Sequence, residues 1–313
     1  MLLFHIFGTK LKWMLDELDQ SVLNFKGDSL FLMNVSLAII MFGVALDIRR
    51  EDFFYLAKAP KPFLLGVIAQ FIMLPFLTFV LVWFIQPIPS VAMGMFLVAV
   101  CPGGNISNFL TNLAKGNTAL SVSLTAFATA FSIVLTPFNF GFWASLYEPT
   151  DTLLKEISLS YWDVFQTIAL ILGIPLVLGM YVGHRFPGFS MRASRLLKPI
   201  SIGIFGAIVL VAFYSNYNLF LQFILLIFGW VLAHNGAALL AGFSLAKLFR
   251  LSLEDTKTLT IETGIQNSGL ALILIFGYFD GLGGMAIIAG WWGIWHILSG
   301  LSVAALWKPK KIT

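Results

Sequence analysis

Nine apolar stretches succeed one another along this chain, at residues 29–48, 63–86, 91–113, 118–147, 161–183, 199–215, 219–246, 257–278 and 284–307. Each is close to the roughly 20 residues a helix needs to cross a bilayer. Lipid offers no hydrogen bonds, so a spanning segment must satisfy its own backbone, and apolar runs of this length do so as helices. Composition agrees: 11% of residues are charged, where soluble domains carry about 25%. Mean hydropathy is +0.91. The sequence therefore predicts an all-α polytopic membrane protein with nine transmembrane helices. It offers no candidate soluble domain, so function has to reside in the membrane part. The single cysteine, Cys101, excludes an intrachain disulfide.

Residues 1–27 do not read as a signal peptide, because the apolar run Leu2–Phe7 is short and Asp16, Glu17 and Asp19 follow it. Leu11, Met14, Leu15, Leu18, Val22 and Phe25 recur at helical spacing, with Lys12, Asp16, Asp19 and Gln20 between them. That pattern is an amphipathic helix expected to lie on the membrane surface, with packing against the bundle as the alternative. The remainder, 28–313, reads as one transmembrane unit. Basic residues orient it. With the N-terminus outside, fifteen of nineteen Lys and Arg fall in inside loops, from Arg49 and Arg50 to Lys308, Lys310 and Lys311. Nine spans then leave the C-terminus in the cytoplasm of a multi-pass cell-membrane protein (plasma or inner membrane). The same distribution explains the net charge of +4 without a nucleic-acid partner.

Of the fifteen Asp and Glu, only Glu262 lies well inside a predicted span. It opens the run Glu262-Thr263-Gly264-Ile265-Gln266-Asn267-Ser268-Gly269. A carboxylate inside a membrane is costly and by default marks an ion path, a cavity or a partner. Gly264 and Gly269 flank the polar cluster, as suits a broken helix that frees carbonyls and helix ends for ligands. A second interruption, Cys101-Pro102-Gly103-Gly104-Asn105-Ile106-Ser107-Asn108, falls in the third span. Alone it reads equally well as a kinked helix with small residues for close packing. The two breaks lie five spans apart, however, and an odd offset reverses orientation. Paired interruptions related by an inverted repeat are the sequence signature of a transporter site. In the next helix Ser121 and Thr125 are four residues apart and share a face, although such hydroxyls often bond only their own backbone.

These residues together resemble the bile acid:sodium symporter family. The resemblance rests on Cys-Pro-Gly-Gly-Asn-Ile-Ser-Asn at 101–108, Lys-Gly-Asn with Leu-Ser-Val-Ser-Leu-Thr over 115–125, and Glu-Thr-Gly-Ile-Gln-Asn at 262–267. Gly-Val-Ile-Ala-Gln at 66–70, His-Asn-Gly at 234–236 and Trp-His-Ile-Leu-Ser-Gly at 295–300 support it. The likeness is to the nine-span liver and ileal bile acid transporters and their bacterial homologues. It implies a core domain with two crossing broken helices, formed by spans 63–86, 91–113, 118–147, 219–246, 257–278 and 284–307. A panel domain of spans 29–48, 161–183 and 199–215 would stand beside it. The resemblance also implies two sodium ions. One would be held by Ser107, Asn108, Ser121, Thr125 and Glu262. The other would use Gln70, Glu262, Gln266 and the carbonyls of Thr263 and Ile265. Hydroxyl, amide, carbonyl and carboxylate oxygens are the ligands hard cations prefer. Beside the crossing, Asn105 and Asn267 would bind an organic anion, with His296 as a further candidate.

Sodium-coupled symport of an organic anion by alternating access is thus the leading expectation, carried out by a chain that works as a monomer. A proton-coupled carrier, in which Glu262 titrates and no sodium binds, is the alternative. The sequence does not support an enzyme, since it lacks His-Glu-x-x-His, a serine–histidine or serine–lysine pairing, and paired intramembrane aspartates. A receptor or purely structural membrane protein would leave two polar breaks at repeat-related positions without a purpose. Bile salts, steroid sulfates and smaller carboxylates all remain open as the anion.

Overall fold

A computed structural model of the chain describes residues 15–19, 21, 27–48, 50–104, 106–156, 161–215 and 217–307. Proline and amide side chains set many of its helix starts. Following α1 (Gly27–Ala45) and α2 (Arg50–Lys58), Pro60 occupies the first turn of α3 (Pro60–Ile85) and Pro89 that of α4 (Pro89–Val100). Proline suits that position because its missing N–H would be unpaired there anyway. After the first break come α5 (Ile106–Leu113) and α6 (Thr118–Leu146), and Asn117 caps α6 by accepting from the Leu120 N–H. There follow α7 (Glu148–Glu156), α8 (Tyr161–Arg185), α9 (Pro187–Ser215) and α10 (Tyr217–Leu248). Ser252 caps α11 (Leu253–Gly264), Asn267 caps α12 (Ser268–Tyr278), and α13 (Gly283–Leu306) closes the described chain. Such caps satisfy N–H groups that a helix start leaves unpaired.

Each apolar stretch found in the sequence is helical, and 91–113 and 257–278 are the two that split. Among the described residues, four helical segments are by themselves long and apolar enough to cross a membrane: Pro60–Ile85, Thr118–Leu146, Ile227–Leu248 and Gly283–Leu306. Two differences from the sequence expectation have local causes. Helix α9 starts twelve residues before the stretch at 199–215, because Arg192, Arg195 and Lys198 lower hydropathy without breaking a helix. The short helices α2 and α7 lie where loops were expected. Each carries acids in its first turn and a lysine in its last, which complements the helix dipole.

The two split elements take the centre. Residues 90–100 of α4 are all buried, as are most of α11 and α12. Polar backbone at a break cannot face lipid, so the half-helices that carry it are enclosed by neighbours. Helix α4 packs on α6 and α13, and α11 packs on α10 along its length. The α10–α11 contact is close: a Cβ on Gly242 would stand 2.8 Å from Thr263 Oγ1. Outside this group, α1 packs mainly against α8 and α9. Ser190 Oγ of α9 donates to the Leu46 carbonyl (2.7 Å) and Ser194 Oγ to Asp47 Oδ1 (2.5 Å), which ties the end of α1 to α9. Large apolar side chains such as Trp83, Phe84, Leu225 and Leu240 point outward, as a lipid-facing surface requires.

The N-terminal helical residues 15–19 pack on the bundle. Leu18 is fully buried, Asp19 Oδ1 accepts from the Ser90 N–H at the start of α4 (2.8 Å), and the Ser21 carbonyl accepts from the Gly283 N–H at the start of α13 (2.7 Å). Of the two placements open for this amphipathic segment, its described part adopts the packed one. The rest of 1–27 lies outside the described residues.

Candidate functional site

The broken segments cross as a short antiparallel pair. Gly103 and Gln266 form an isolated bridge; the Gly104 N–H donates to the Ile265 carbonyl (3.1 Å) and the Asn267 N–H to the Pro102 carbonyl (2.9 Å). Backbone groups that each helix gave up are thus paired across the crossing, as burial demands. Two side chains complete the pairing. Thr136 Oγ1 of α6 donates to the Val100 carbonyl at the end of α4 (2.9 Å). Asn235 Nδ2 of α10 donates to the Gly264 carbonyl at the end of α11 (2.7 Å).

Against this crossing lies a knot of oxygens around Glu262, whose side chain is 2% exposed. Ser107 Oγ reaches Glu262 Oε1 at 2.6 Å, Ser121 Oγ contacts the same oxygen, and Thr125 Oγ1 lies 3.0 Å from Oε2. Asn108 Oδ1 stands 2.8 Å from Ser121 Oγ and 3.2 Å from Thr125 Oγ1, and Ser107 Oγ is 3.4 Å from Thr125 Oγ1. All five residues expected at the first sodium site are therefore in one cluster, drawn from α5, α6 and α11. Proton counting is informative here. With Glu262 ionised and Asn108 presenting Oδ1, six close oxygen–oxygen approaches among these five residues are shared by only three hydroxyl protons. Lone pairs therefore face lone pairs, an arrangement that a cation at the centre would relieve. Among the described contacts of Glu262 none is to a basic side chain, and Lys257, five residues earlier, donates instead to the Ala114 and Trp307 carbonyls. Thr111 also belongs to the cluster, with Ser121 Oγ 3.3 Å from its Oγ1. The sequence reading missed it, although its spacing of four from Ser107 puts both on one helix face.

The second expected site is assembled in part. Helix α3 contains a π-helical turn at Ala69–Met73, which widens the helix where Gln70 projects. Such turns recur at functional positions because they re-aim one side chain. A Cβ on Gly103 would stand 3.0 Å from Glu262 Oε2 and 3.4 Å from Gln70 Nε2, so both groups flank the first break. Gln266 Nε2 donates to the Thr263 carbonyl (2.9 Å). Gln70 Nε2 and Gln266 Oε1 are buried without partners. The carbonyls of Thr263 and Ile265 each accept one hydrogen bond already, and each keeps a second lone pair for another ligand.

Of the expected anion ligands, Asn267 caps α12: its Oδ1 accepts from the Leu270 N–H (3.0 Å). The cap fixes the amide, so its Nδ2 is turned away as a donor from a half-buried position. Asn105 lies outside the described residues. His296 is buried with Nδ1 unpartnered, and it sits one turn from Gly300, which packs on the Ile265 side chain. No described contact joins His296 to Asn267. The sequence reading also gave no role to Thr136, His234 or Asn235. The His-Asn pair was visible as a polar interruption of the stretch 219–246, whereas Thr136 carried no signal of its own.

Comparison with known proteins identifies the family of the chain. Residues 34–223 match the model of the Sodium Bile acid symporter family. The chain is 35% identical to an uncharacterized sodium-dependent transporter of Bacillus subtilis (strain 168), YocS, over 93% of this chain and 88% of that protein. It is 27% identical to a probable chloroplastic sodium/metabolite cotransporter of Arabidopsis thaliana, BASS1, over 89% of this chain and 68% of that one. With sodium/bile acid cotransporter 5 of Mus musculus the identity is 28%, over 79% and 56%. These relatives are named as transporters and cotransporters, not as enzymes, and the chain belongs to the sodium bile acid symporter family.

Proposed function

We propose that this protein is a sodium-dependent transporter that moves an organic anion inward together with two sodium ions bound around the helix crossing. The observation that carries the reading is the proton-poor oxygen knot at Glu262, where six oxygen–oxygen approaches share three hydroxyl protons and no described contact brings a basic side chain to the carboxylate. An uncompensated buried carboxylate costs several kcal/mol or more, and a cation both pairs with it and separates the crowded oxygens. One sodium sits among Ser107, Asn108, Ser121, Thr125 and Glu262. The other sits among Gln70, Glu262, Gln266 and the Thr263 and Ile265 carbonyls, with the Gln70 amide rotated to offer Oε1. Glu262 is common to both and offsets part of their charge.

The anion lies beside the crossing, where Asn267 Nδ2 and the N-terminal end of α12 favour negative charge. The relatives' names, sodium/bile acid and sodium/metabolite cotransporter, support a carboxylate or sulfonate on an apolar body. Nine helices cross the cell membrane, with the N-terminus outside. Those of the panel (α1, α8, α9) form the frame against which the core rocks to open the site to either side. Their mutual packing supports this division.

The test is thermal. Sodium should raise the melting temperature of the detergent-purified protein more than potassium at equal ionic strength, by mass-action linkage. Glu262→Gln, which keeps the shape and removes the charge, should abolish the difference. Equal melting temperatures in the two ions across a wide concentration range would overturn the reading. Anion uptake driven by a pH gradient in sodium-free medium would replace it with a proton-coupled carrier.

A further inference from the structure

The polar pair His234-Asn235 sits in the middle of α10, fully buried, and neither residue is among the ion or anion ligands named above. Its two side chains reach in different directions. Asn235 Nδ2 donates to the Gly264 carbonyl (2.7 Å), the one backbone acceptor of the second break that lies between the Thr263 and Ile265 carbonyls. His234 Nε2 lies 2.7 Å from Thr78 Oγ1 on α3. The direction of that bond follows from proton counting. Thr78 spends its single hydroxyl proton on the Leu74 carbonyl (2.8 Å), so the histidine ring must present Nε2–H to the threonine oxygen. One dipeptide therefore ties the α3 helix, which carries Gln70 two turns before Thr78, to the second break, which carries Thr263, Ile265 and Gln266.

The arrangement is expensive as mere packing. Asn235 Oδ1 and His234 Nδ1 are buried without a partner, and an unpaired buried polar atom costs about 1–3 kcal/mol. Apolar residues of similar volume would fill α10 at lower cost. What they could not do is hold the Gly264 carbonyl toward α10. The Gly264 carbonyl lies between the Thr263 and Ile265 carbonyls, where α11 ends and Ile265 turns extended, so holding it restricts how the peptide planes on either side can rotate.

We propose that His234 and Asn235 are positioning residues for the second sodium site. They set the spacing between Gln70 and the second break and aim the Thr263 and Ile265 carbonyls, without touching the ion. This inference rests on the two-sodium reading above. It assigns the pair's main effect to the second site, because apart from Glu262, which both sites share, the first site draws its ligands from α5 and α6, to which the pair makes no described hydrogen bond.

Equilibrium binding of radioactive sodium to the purified full-length protein tests it, with the melting temperature in sodium-free buffer as a control for folding. The wild-type protein should bind two sodium ions per chain. Asn235→Leu, close in volume but without the donor, should retain one site at its original affinity and weaken the other by about tenfold or more, the usual effect of losing a group that orients a metal ligand. Gln266→Ala, which removes a direct ligand, should give the same pattern, and Thr78→Val a milder form of it. Loss of packing alone would lower the sodium-free melting temperature and leave the two affinities in their original ratio. Should Asn235→Leu fail to fold, Thr78→Val reads the other arm of the pair. Two unchanged sites in both variants, while Gln266→Ala loses one, would overturn the positioning role and leave the two-sodium reading standing. A wild-type protein that binds a single sodium would overturn both.

Discussion

At the scale of single residues, the orientation of one amide decides what the anion meets. Asn267 Oδ1 is engaged by the Leu270 N–H, so the group left for a ligand is the Nδ2 donor. Aspartate caps helices about as well as asparagine, which makes Asn267→Asp a discriminating change. The cap, and with it the sodium-stabilised melting temperature, should survive. Anion affinity should fall by about tenfold to a hundredfold, the worth of a hydrogen bond to a charged group, with like-charge repulsion adding to the loss. Competition binding against a panel of carboxylates and sulfonates measures this, and an unchanged affinity for every anion would place the substrate elsewhere. Thr136 shows the complementary case. Its hydroxyl does nothing at the ion site but closes the carbonyl that α4 leaves open at Val100.

At the scale of elements, the crossing depends on a position beside the ion ligands that has no side chain. Gly103 leaves its Cα facing Glu262 Oε2 and Gln70 Nε2, and an added Cβ would stand 3.0 and 3.4 Å from them. Gly103→Ala should therefore press a methyl group into the space between the two sodium sites, at a cost of about 1–3 kcal/mol. The sodium concentration giving half the thermal stabilisation should rise accordingly. Gly104→Ala is the matched control, since its Cβ would meet the Gln266 carbonyl oxygen at 3.4 Å and Asn267 Cα at 3.8 Å, both ordinary contacts, and neither Glu262 nor Gln70 is among its nearest neighbours. Identical sodium midpoints for the two variants would mean that the crossing does not border the ions.

For the whole molecule, the proposed stoichiometry has an electrical consequence. Two sodium ions entering with one monovalent anion carry one net charge inward, and moving it through the membrane potential is worth about 2.3 kcal/mol per 100 mV. In proteoliposomes, an inside-negative potential imposed with valinomycin should accelerate uptake of a monovalent substrate. A dianion would make the same cycle neutral. Sodium-dependent uptake of a monovalent anion that ignored the potential would exclude two-sodium coupling.

The sequence by itself determined where helices form, where two of them break, and which carboxylate is buried. Those properties are local: apolar runs, Pro102 with Gly103 and Gly104, the Asn and Ser caps, and a lone Glu262 in an apolar segment are all read within a few residues. The first cluster could be named as well, but only through motifs resembling a family, since spacing alone cannot bring residues 107, 108, 121, 125 and 262 together. Tertiary structure decided what those groups share, including how few protons lie among their oxygens. It also decided the packing of residues 15–19 onto the starts of α4 and α13, and the helical path of 187–198, whose charges conceal it from a hydropathy reading. Least legible were Thr136 and Asn235. Their partners are main-chain carbonyls 36 and 29 residues away, and a carbonyl is the same in every residue, so no side-chain pattern announces which one a distant helix must satisfy.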